Sequence, residues 1–179
     1  TKMSLEGMEF AEALAEAQAR GFAEADPASD VEGRDAAYKL NIMATLAFSA
    51  LISMDDICTE GITEVKLRDI RYARELGYSV KLLAVAEEKE DGLVLRVHPA
   101  LIPLSHPLAS VENEFNAVFL QGDAVGEVMF FGRGAGALPT GSAVCADIMD
   151  AARIIKEEIE NGIMETDFTK KEVIPPHRQ

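Results

Sequence analysis

The sequence has little positive charge and no long apolar run, and each shortage excludes a class of protein. Lysine and arginine number 17 against 31 aspartate and glutamate residues, for a net charge of −14. A chain this acidic repels nucleic-acid phosphates and gains nothing from an anionic membrane surface. No apolar run approaches the roughly 20 residues that a membrane-spanning helix needs. We therefore expect no nucleic-acid partner and no membrane partner.

Residues for metal binding and nucleophilic catalysis are also scarce. Cys58 and Cys145 show no CxxC spacing, which predicts two free thiols in a reducing compartment, the cytoplasm. The three histidines lack metal-ligand spacing, and no Ser-His-Asp or Cys-His arrangement is present. We predict no metal site, and we interpret His98-Pro99 and His106-Pro107 as turn elements in an irregular stretch.

The 179 residues, 48% of them hydrophobic, suffice for one domain with a substantial core. The order of predicted elements, helices first, then strands, then a helix, indicates an α+β fold with a mixed or antiparallel sheet and helices on one face. Residues 1–160 are predicted to form one domain and residues 161–179 a linker or tail. The start, TKMSLEGMEF, lacks an initiator Met, and we expect an excised domain. Helical patterns cover about 4–20, 34–54, 64–76 and the stretch up to 160; strand patterns cover 78–86, 93–97, 116–120 and 126–131.

The predicted helix at 34–54 is the centre of this organisation. From Leu40 to Met54 nearly every residue is apolar, which predicts a long helix buried in the core. The preceding loop, residues 21–33, carries several carboxylates, and the helix itself begins with Asp35 and Lys39. The acidic loop thus leads directly into the start of a buried helix, where we expect the catalytic residues.

Asp35 and Lys39 stand at i and i+4, so they share one helix face, and two interpretations remain open. The first is a surface ion pair worth a few tenths of a kcal/mol. The second is a lysine at the rim of a desolvated pocket that donates a proton to a carbonyl oxygen. The second gains weight because Lys39 shares its face with Met43, Leu46 and Ala50, which the predicted helix should bury.

The Gly-rich stretch GRGAGA, residues 132–137, imitates the GxGxxA fingerprint of a dinucleotide-binding unit. No second parallel strand and no strand-borne acidic residue follow at the spacing of such a unit, which argues against one. Two interpretations remain: a turn that needs glycine for tight packing, or a loop whose backbone approaches a ligand held mainly by other groups.

Several segments together resemble homoserine dehydrogenase. The resemblance covers about residues 1–155 and is carried, in order and spacing, by AEADPASDVEGRDAAYKL, ELGYSVKLLAVA, LRVHPALIPLSHPLASVENEFNAV, GDAVG and GRGAGALPTGSAV. It implies reduction of L-aspartate 4-semialdehyde to L-homoserine with NADP or NAD, on the route to threonine, methionine and isoleucine. It also implies a homodimer that acts on a small-molecule substrate.

The resemblance assigns roles to residues of the acidic loop and the helix. Lys39 would protonate the carbonyl oxygen during hydride delivery, Asp35 would help to hold the substrate, and Glu24 would bind its amino group. Asp30 would be a second partner for that amine or for Lys39.

The same resemblance places Gly136, with Gly134 in the same loop, at the cofactor. The nucleotide-binding half of the family, with its true GxGxxG, has no counterpart in these residues. The chain thus resembles the substrate-binding, catalytic and dimerisation domain alone, and we expect it to be inactive by itself. The alternative is a non-catalytic amine-binding or oligomerisation module. Burial of Lys39 beside Glu24 and Asp35 would favour the enzyme; a solvated Lys39 would favour the module.

Overall fold

The computed structural model describes residues 2–21, 23, 25–134, 136–161 and 168–175. The chain divides into two compact units: the first comprises Thr1–Ala109 with Asp167–Gln179, and the second Ser110–Thr166. Within the described ranges, no helix is both long and apolar enough to cross a membrane. Helices of the first unit are α1 (Lys2–Glu6), α2 (Phe10–Ala19), α3 (Ala28–Val31), α4 (Arg34–Phe48) and α5 (Leu67–Glu75), with 3-10 turns at Met54–Asp56 and Pro107–Ser110.

A three-stranded mixed sheet forms the base of the first unit, which confirms the predicted α+β class. Its strands are β1 (Cys58–Thr59), β2 (Tyr78–Lys89) and β3 (Gly92–Pro103), in the spatial order β1-β3-β2. The long hairpin of β2 and β3 pairs Tyr78 with Pro103 at one end and Lys89 with Gly92 at the other. β1 lies parallel to β3 on its other side. His98-Pro99, predicted to be irregular, lies inside β3.

The core of the first unit lies between α4 and one face of the sheet. Alternate residues of β3, including Leu95 and Val97, point to that face and are fully buried, as the two-residue period of a strand requires. Ala37, Leu40 and Ala44 follow the helical period along α4 and pack against them in one cluster. The small alanines let the helix approach the sheet closely.

The prediction that this helix runs to about residue 54 and is buried along its length is wrong in extent, although the helix does form and one side of it packs in the core. α4 ends at Phe48, where Ser49 adopts a left-handed conformation with φ of 49°. Only the alanine and leucine stripe is buried; Tyr38, Ile42 and Leu46 are 55%, 62% and 65% exposed. Apolar residues on most sides of a helix do not specify which sides this chain covers.

Residues 168–175, predicted to be a linker or tail, pack on the first unit. The amide of Leu51 donates to the carbonyl of Thr169 at 3.0 Å, and the amide of Ile174 donates to the carbonyl of Leu93 at 2.9 Å. Val173 packs against the core cluster. This segment therefore contacts both the end of α4 and the start of β3.

The second unit is a hairpin followed by a helix. β4 (Phe115–Gly122) and β5 (Gly126–Arg133) pair antiparallel, and α6 extends over Ala137–Asn161. The rings of Phe115 and Phe131 stack at 4.8 Å between centroids, and the Arg133 guanidinium lies 5.2 Å from the Phe115 ring. The Gly-rich stretch connects β5 to α6.

Candidate active site

The start of α4 carries Asp35 and Lys39, the pair predicted to share one face of this helix. Gly33 precedes the helix in a left-handed conformation, φ 82°, which glycine adopts at little cost. One turn into the helix, the Lys39 Nζ donates to the Asp35 Oδ2 at 2.7 Å. The predicted i, i+4 contact is therefore present as a direct, charge-assisted hydrogen bond.

The pair lies in solvent, contrary to the expectation that Lys39 would occupy a buried face. The side chains of Lys39 and Asp35 are 64% and 45% exposed. Met43 and Leu46, whose predicted burial supported a desolvated lysine, are exposed as well. An exposed pair of this kind stabilises a helix by about 0.3–0.5 kcal/mol, so its presence does not by itself require a catalytic role.

Asp30 lies on α3, the short helix directly before α4. Its carbonyl accepts a hydrogen bond from the Gly33 amide at 3.3 Å, so α3 and α4 are joined by a tight turn. Nearby, Asp26 accepts from the amide of Ala28 at 3.2 Å and thereby holds the start of α3. The loop and helix thus supply Asp30, Asp35 and Lys39 from one continuous stretch, while Glu24 lies outside the described residues.

Gly134 and Gly136 lie in the second unit, on the connection from β5 to α6. A Cβ at Gly134 would lie 2.1 Å from the Nδ2 of Asn116, so no other residue fits without a shift of that side chain. Gly136 has φ of 116°, a conformation that side chains rarely adopt, and its carbonyl accepts from the Thr140 amide at 3.0 Å. Tight packing therefore explains Gly134, and backbone conformation explains Gly136.

The groups that serve structure can be separated from those free for chemistry. The Nδ1 of His98 lies 3.0 Å from the carbonyl of Pro99, and the Nδ1 of His106 accepts from the Leu108 amide at 3.2 Å. Cys58 and Cys145 are free thiols. In the part of the chain that the structure describes, no three His, Cys, Asp or Glu side chains converge to hold a metal ion.

Comparison with known proteins assigns the family. The family model described as homoserine dehydrogenase matches residues 1–149. The chain belongs to the homoserine dehydrogenase family. The family match confirms the resemblance to homoserine dehydrogenase, and comparisons of whole sequences and of structures agree with it. The homoserine dehydrogenase of Neisseria gonorrhoeae is 47% identical over 173 residues, which are 97% of this chain and 40% of that protein.

Solved homoserine dehydrogenases have the same fold. One from Thiobacillus denitrificans matches with a TM-score of 0.90 at 42% identity, over 97% of this chain and 42% of that one. A hyperthermophilic archaeal homoserine dehydrogenase in complex with NADPH matches with a TM-score of 0.65 at 32% identity, over 84% of this chain and 42% of that one. The chain thus spans about two fifths of the length of these relatives. Members of this family are oxidoreductases of amino-acid biosynthesis that use nicotinamide cofactors.

Proposed function

We propose that this chain is the substrate-binding and dimerisation part of a homoserine dehydrogenase that reduces L-aspartate 4-semialdehyde to L-homoserine with NADPH or NADH. The observation that carries the proposal is the match of residues 1–149 to the homoserine dehydrogenase family, and the hydrogen-bonded pair of Asp35 and Lys39, 2.7 Å apart, lies inside that matched segment. The full-length protein that contains this chain is the material for the test. It should reduce NADP or NAD only when L-homoserine is supplied; no homoserine-dependent absorbance change would contradict the proposal.

Lys39 is proposed to be the general acid. A bound reduced nicotinamide would supply the hydride to the aldehyde carbon, whose oxygen then gains negative charge. The Lys39 ammonium donates a proton to that oxygen, and the product is the hydroxyl of homoserine. Asp35 accepts a hydrogen bond from the same ammonium, which restricts where the Lys39 ammonium points.

The carboxylates are proposed to bind the substrate's ammonium group. Asp30 is exposed at the end of α3 and Asp35 is half-buried in the first turn of α4. A charge-assisted hydrogen bond from an ammonium to a carboxylate is about twice as strong as a neutral one. Glu24, in the same acidic loop, is proposed as the principal partner of the amine.

The Gly-rich connection of the second unit is compatible with a cofactor contact. At Gly136 the nearest atoms to a Cβ would be those of Pro139, at 3.6 Å or more, which leaves room for a flat ring to approach the backbone, and Gly134 is proposed to contribute main-chain atoms on the side that Asn116 does not fill. The homoserine dehydrogenase bound to NADPH, of similar fold, supports a nicotinamide cofactor. Because the described residues contain no complete dinucleotide-binding unit, most of the cofactor's binding energy is proposed to come from other parts of a full-length protein.

Removing Glu24 should affect substrate binding more than chemistry. We expect Glu24→Ala in the full-length protein to raise the KM for the semialdehyde about tenfold or more, with a smaller change in kcat, since the lost charge contacts the amine in ground and transition states alike. Asp35→Ala should lower kcat as well, because it also orients Lys39. Steady-state kinetics with both variants decide, and Asp55→Ala, a carboxylate outside the acidic loop, is the control. A Glu24→Ala protein with unchanged KM would contradict the assignment.

A homodimer is the proposed assembly. β2 pairs with β3 on one side only, so its other edge is the edge of the sheet in the described residues. A twelve-residue edge strand is a template for pairing with a second copy. Light scattering of the full-length protein at micromolar concentration should give the mass of two chains. The mass of a single chain under those conditions would contradict the proposed homodimer.

One observation favours a second candidate, a non-catalytic amine-binding or oligomerisation module. Lys39 is 64% exposed, the outcome that such a module predicts. An argument against this module is that the chain spans about two fifths of the length of its relatives. The exposed fraction of Lys39 therefore leaves out any contact that the rest of a full-length protein would make. Kinetics of a Lys39 variant separate the two candidates.

The two free thiols, Cys58 and Cys145, support a proposed location in the reducing cytoplasm.

A further inference from the structure

The loop between β1 and α5 passes the junction of α3 and α4 with no room for a side chain at Gly61. A Cβ at this position would lie 2.2 Å from the carbonyl oxygen of Val31 and 2.5 Å from the Cα of Glu32. These are main-chain atoms, which cannot rotate away as the end of a side chain can. The φ of Gly61 is outside the left-handed region. Glycine is therefore needed here for close approach and not for backbone conformation.

Two hydrogen bonds use this closeness to connect the junction to the core. The amide of Ile62 donates to the Val31 carbonyl at 2.7 Å, and the amide of Glu60 donates to the Val97 carbonyl at 2.8 Å. Val97 is fully buried at the centre of β3. Residues 60–62 thus link β3, the strand at the centre of the core, to the junction of α3 and α4.

Gly33 holds the other end of the same segment. A Cβ at Gly33 would lie 3.2 Å from Cγ1 of Val97 and 3.3 Å from Cγ2 of Thr59, which is tighter than ordinary van der Waals contact. Its carbonyl accepts the Ala37 amide at 3.0 Å, a bond of the first turn of α4. The segment Val31–Gly33 is therefore held at its first residue by the Ile62 amide and lies at its last residue against Thr59 of β1 and Val97 of β3.

The candidate site residues flank this segment directly. Asp30 immediately precedes Val31, Asp35 follows Gly33 by two residues, and the 2.7 Å hydrogen bond ties Lys39 to Asp35. We infer that Gly61 is a positioning residue, because the main chain of residues 60–62 sets the α3–α4 junction and so the placement of these three groups toward the amino-aldehyde substrate. This inference rests on the proposed function and extends it to a residue that contacts no substrate.

Gly61→Ala in the full-length protein tests the inference. The added methyl group forces the junction to move by about 1 Å, a displacement that costs up to about 100-fold in rate when it separates reacting groups. We expect kcat/KM for the semialdehyde to fall about 10- to 100-fold, with the KM for this substrate raised. The dissociation constant for NADPH, measured by fluorescence, should not change. Amide hydrogen exchange should increase in peptides that cover residues 25–40 and remain unchanged over β2.

Two control variants separate positioning from general destabilisation. Gly77→Asn adds a side chain where nothing lies within 4 Å and φ is +83°, so its kinetics should match the unmodified protein. Leu67→Ala removes a buried side chain of α5 and should lower the melting temperature without raising KM. If Gly61→Ala does not fold, Gly33→Ala disturbs the same junction through a milder contact, at 3.2 Å from Val97, together with backbone strain at a φ of +82°, and should show the same rise in KM.

The outcomes are distinct for the inference and for the proposed function. A Gly61→Ala protein with normal KM and normal exchange at residues 25–40 overturns the inference. A loss of active protein with normal KM, as expected for Leu67→Ala, overturns it too. An unmodified protein without homoserine-dependent activity overturns the proposed function instead, and hydrogen exchange then still reports whether Gly61 sets the junction.

Discussion

Replacing Lys39 by alanine in the full-length protein should lower kcat by at least ~100-fold, the lower end of what general acid catalysis contributes. Without the ammonium, the oxygen that receives negative charge during hydride transfer takes its proton from water, which is not positioned for the transfer. The fold should change little, because only an exposed i, i+4 pair worth about 0.3–0.5 kcal/mol is lost. Stopped-flow or steady-state absorbance at saturating substrate measures the effect, with thermal melting as the check on stability.

A matched control isolates the chemistry from the loss of an ion pair. Arg153 and Asp150 on α6 form an exposed i, i+3 pair, also 2.7 Å long, so Arg153→Ala removes a comparable interaction without a proposed catalytic group. Its kcat should be unchanged. Lys39→Ala with kcat near that of Arg153→Ala would identify the Asp35–Lys39 pair as a helix salt bridge, and the non-catalytic module would then be the better description.

The local signals in the sequence located the elements well. In the sequence, Asp91-Gly92 is a turn signal between the strand patterns at 78–86 and 93–97, which predicts a hairpin. The hairpin of β2 and β3 is present, and Gly92 is the first residue of β3. The reason for glycine there is not local: a Cβ would lie 2.5 Å from the carbonyl oxygen of Glu172. Sequence patterns detect the turn residue and cannot detect a neighbour that lies eighty residues away.

Burial was less predictable than the elements themselves. Apolar residues on several sides of α4 predicted complete burial, yet the sheet covers only the stripe of Ala37, Leu40 and Ala44. Tyr38 and Ile42 are equally apolar in sequence and lie in solvent. Composition reports that a surface is apolar; which element covers it depends on contacts distant in sequence.

The contact between the two candidate catalytic residues was predictable from the sequence, whereas the glycine that positions them was not. The spacing of Asp35 and Lys39 predicted their contact, because residues four apart share a helix face. Gly61 gave no signal, since a single glycine in a loop has many explanations. Its role depends on the approach of Val31, thirty residues earlier in the chain, and only the folded structure brings these two together. A glycine required for close packing is visible in sequence only after its neighbour is known.

The isolated 179-residue chain should not catalyse hydride transfer at all. In its described residues the strands form a mixed three-stranded sheet and an antiparallel pair, and neither is the parallel βαβ unit that binds a dinucleotide. A nicotinamide contacted by the Gly-rich connection alone would be held too weakly, since a few backbone contacts do not offset the entropy of binding. We expect no oxidation of NADPH above background with L-aspartate 4-semialdehyde. We also expect no saturable change in the fluorescence of NADPH itself when it is titrated with the chain, which has no tryptophan.

The comparison that gives this result meaning is the full-length protein at the same active-site concentration. Circular dichroism must first show that the isolated chain retains its helices and strands, because exposed apolar residues such as Leu46 and Phe130 favour aggregation when the rest of the protein is removed. If the folded chain shows no turnover while the full-length protein is active, cofactor binding requires residues outside this chain. Turnover by the folded chain at the rate of the full-length protein would show instead that the 179 residues bind the cofactor unaided.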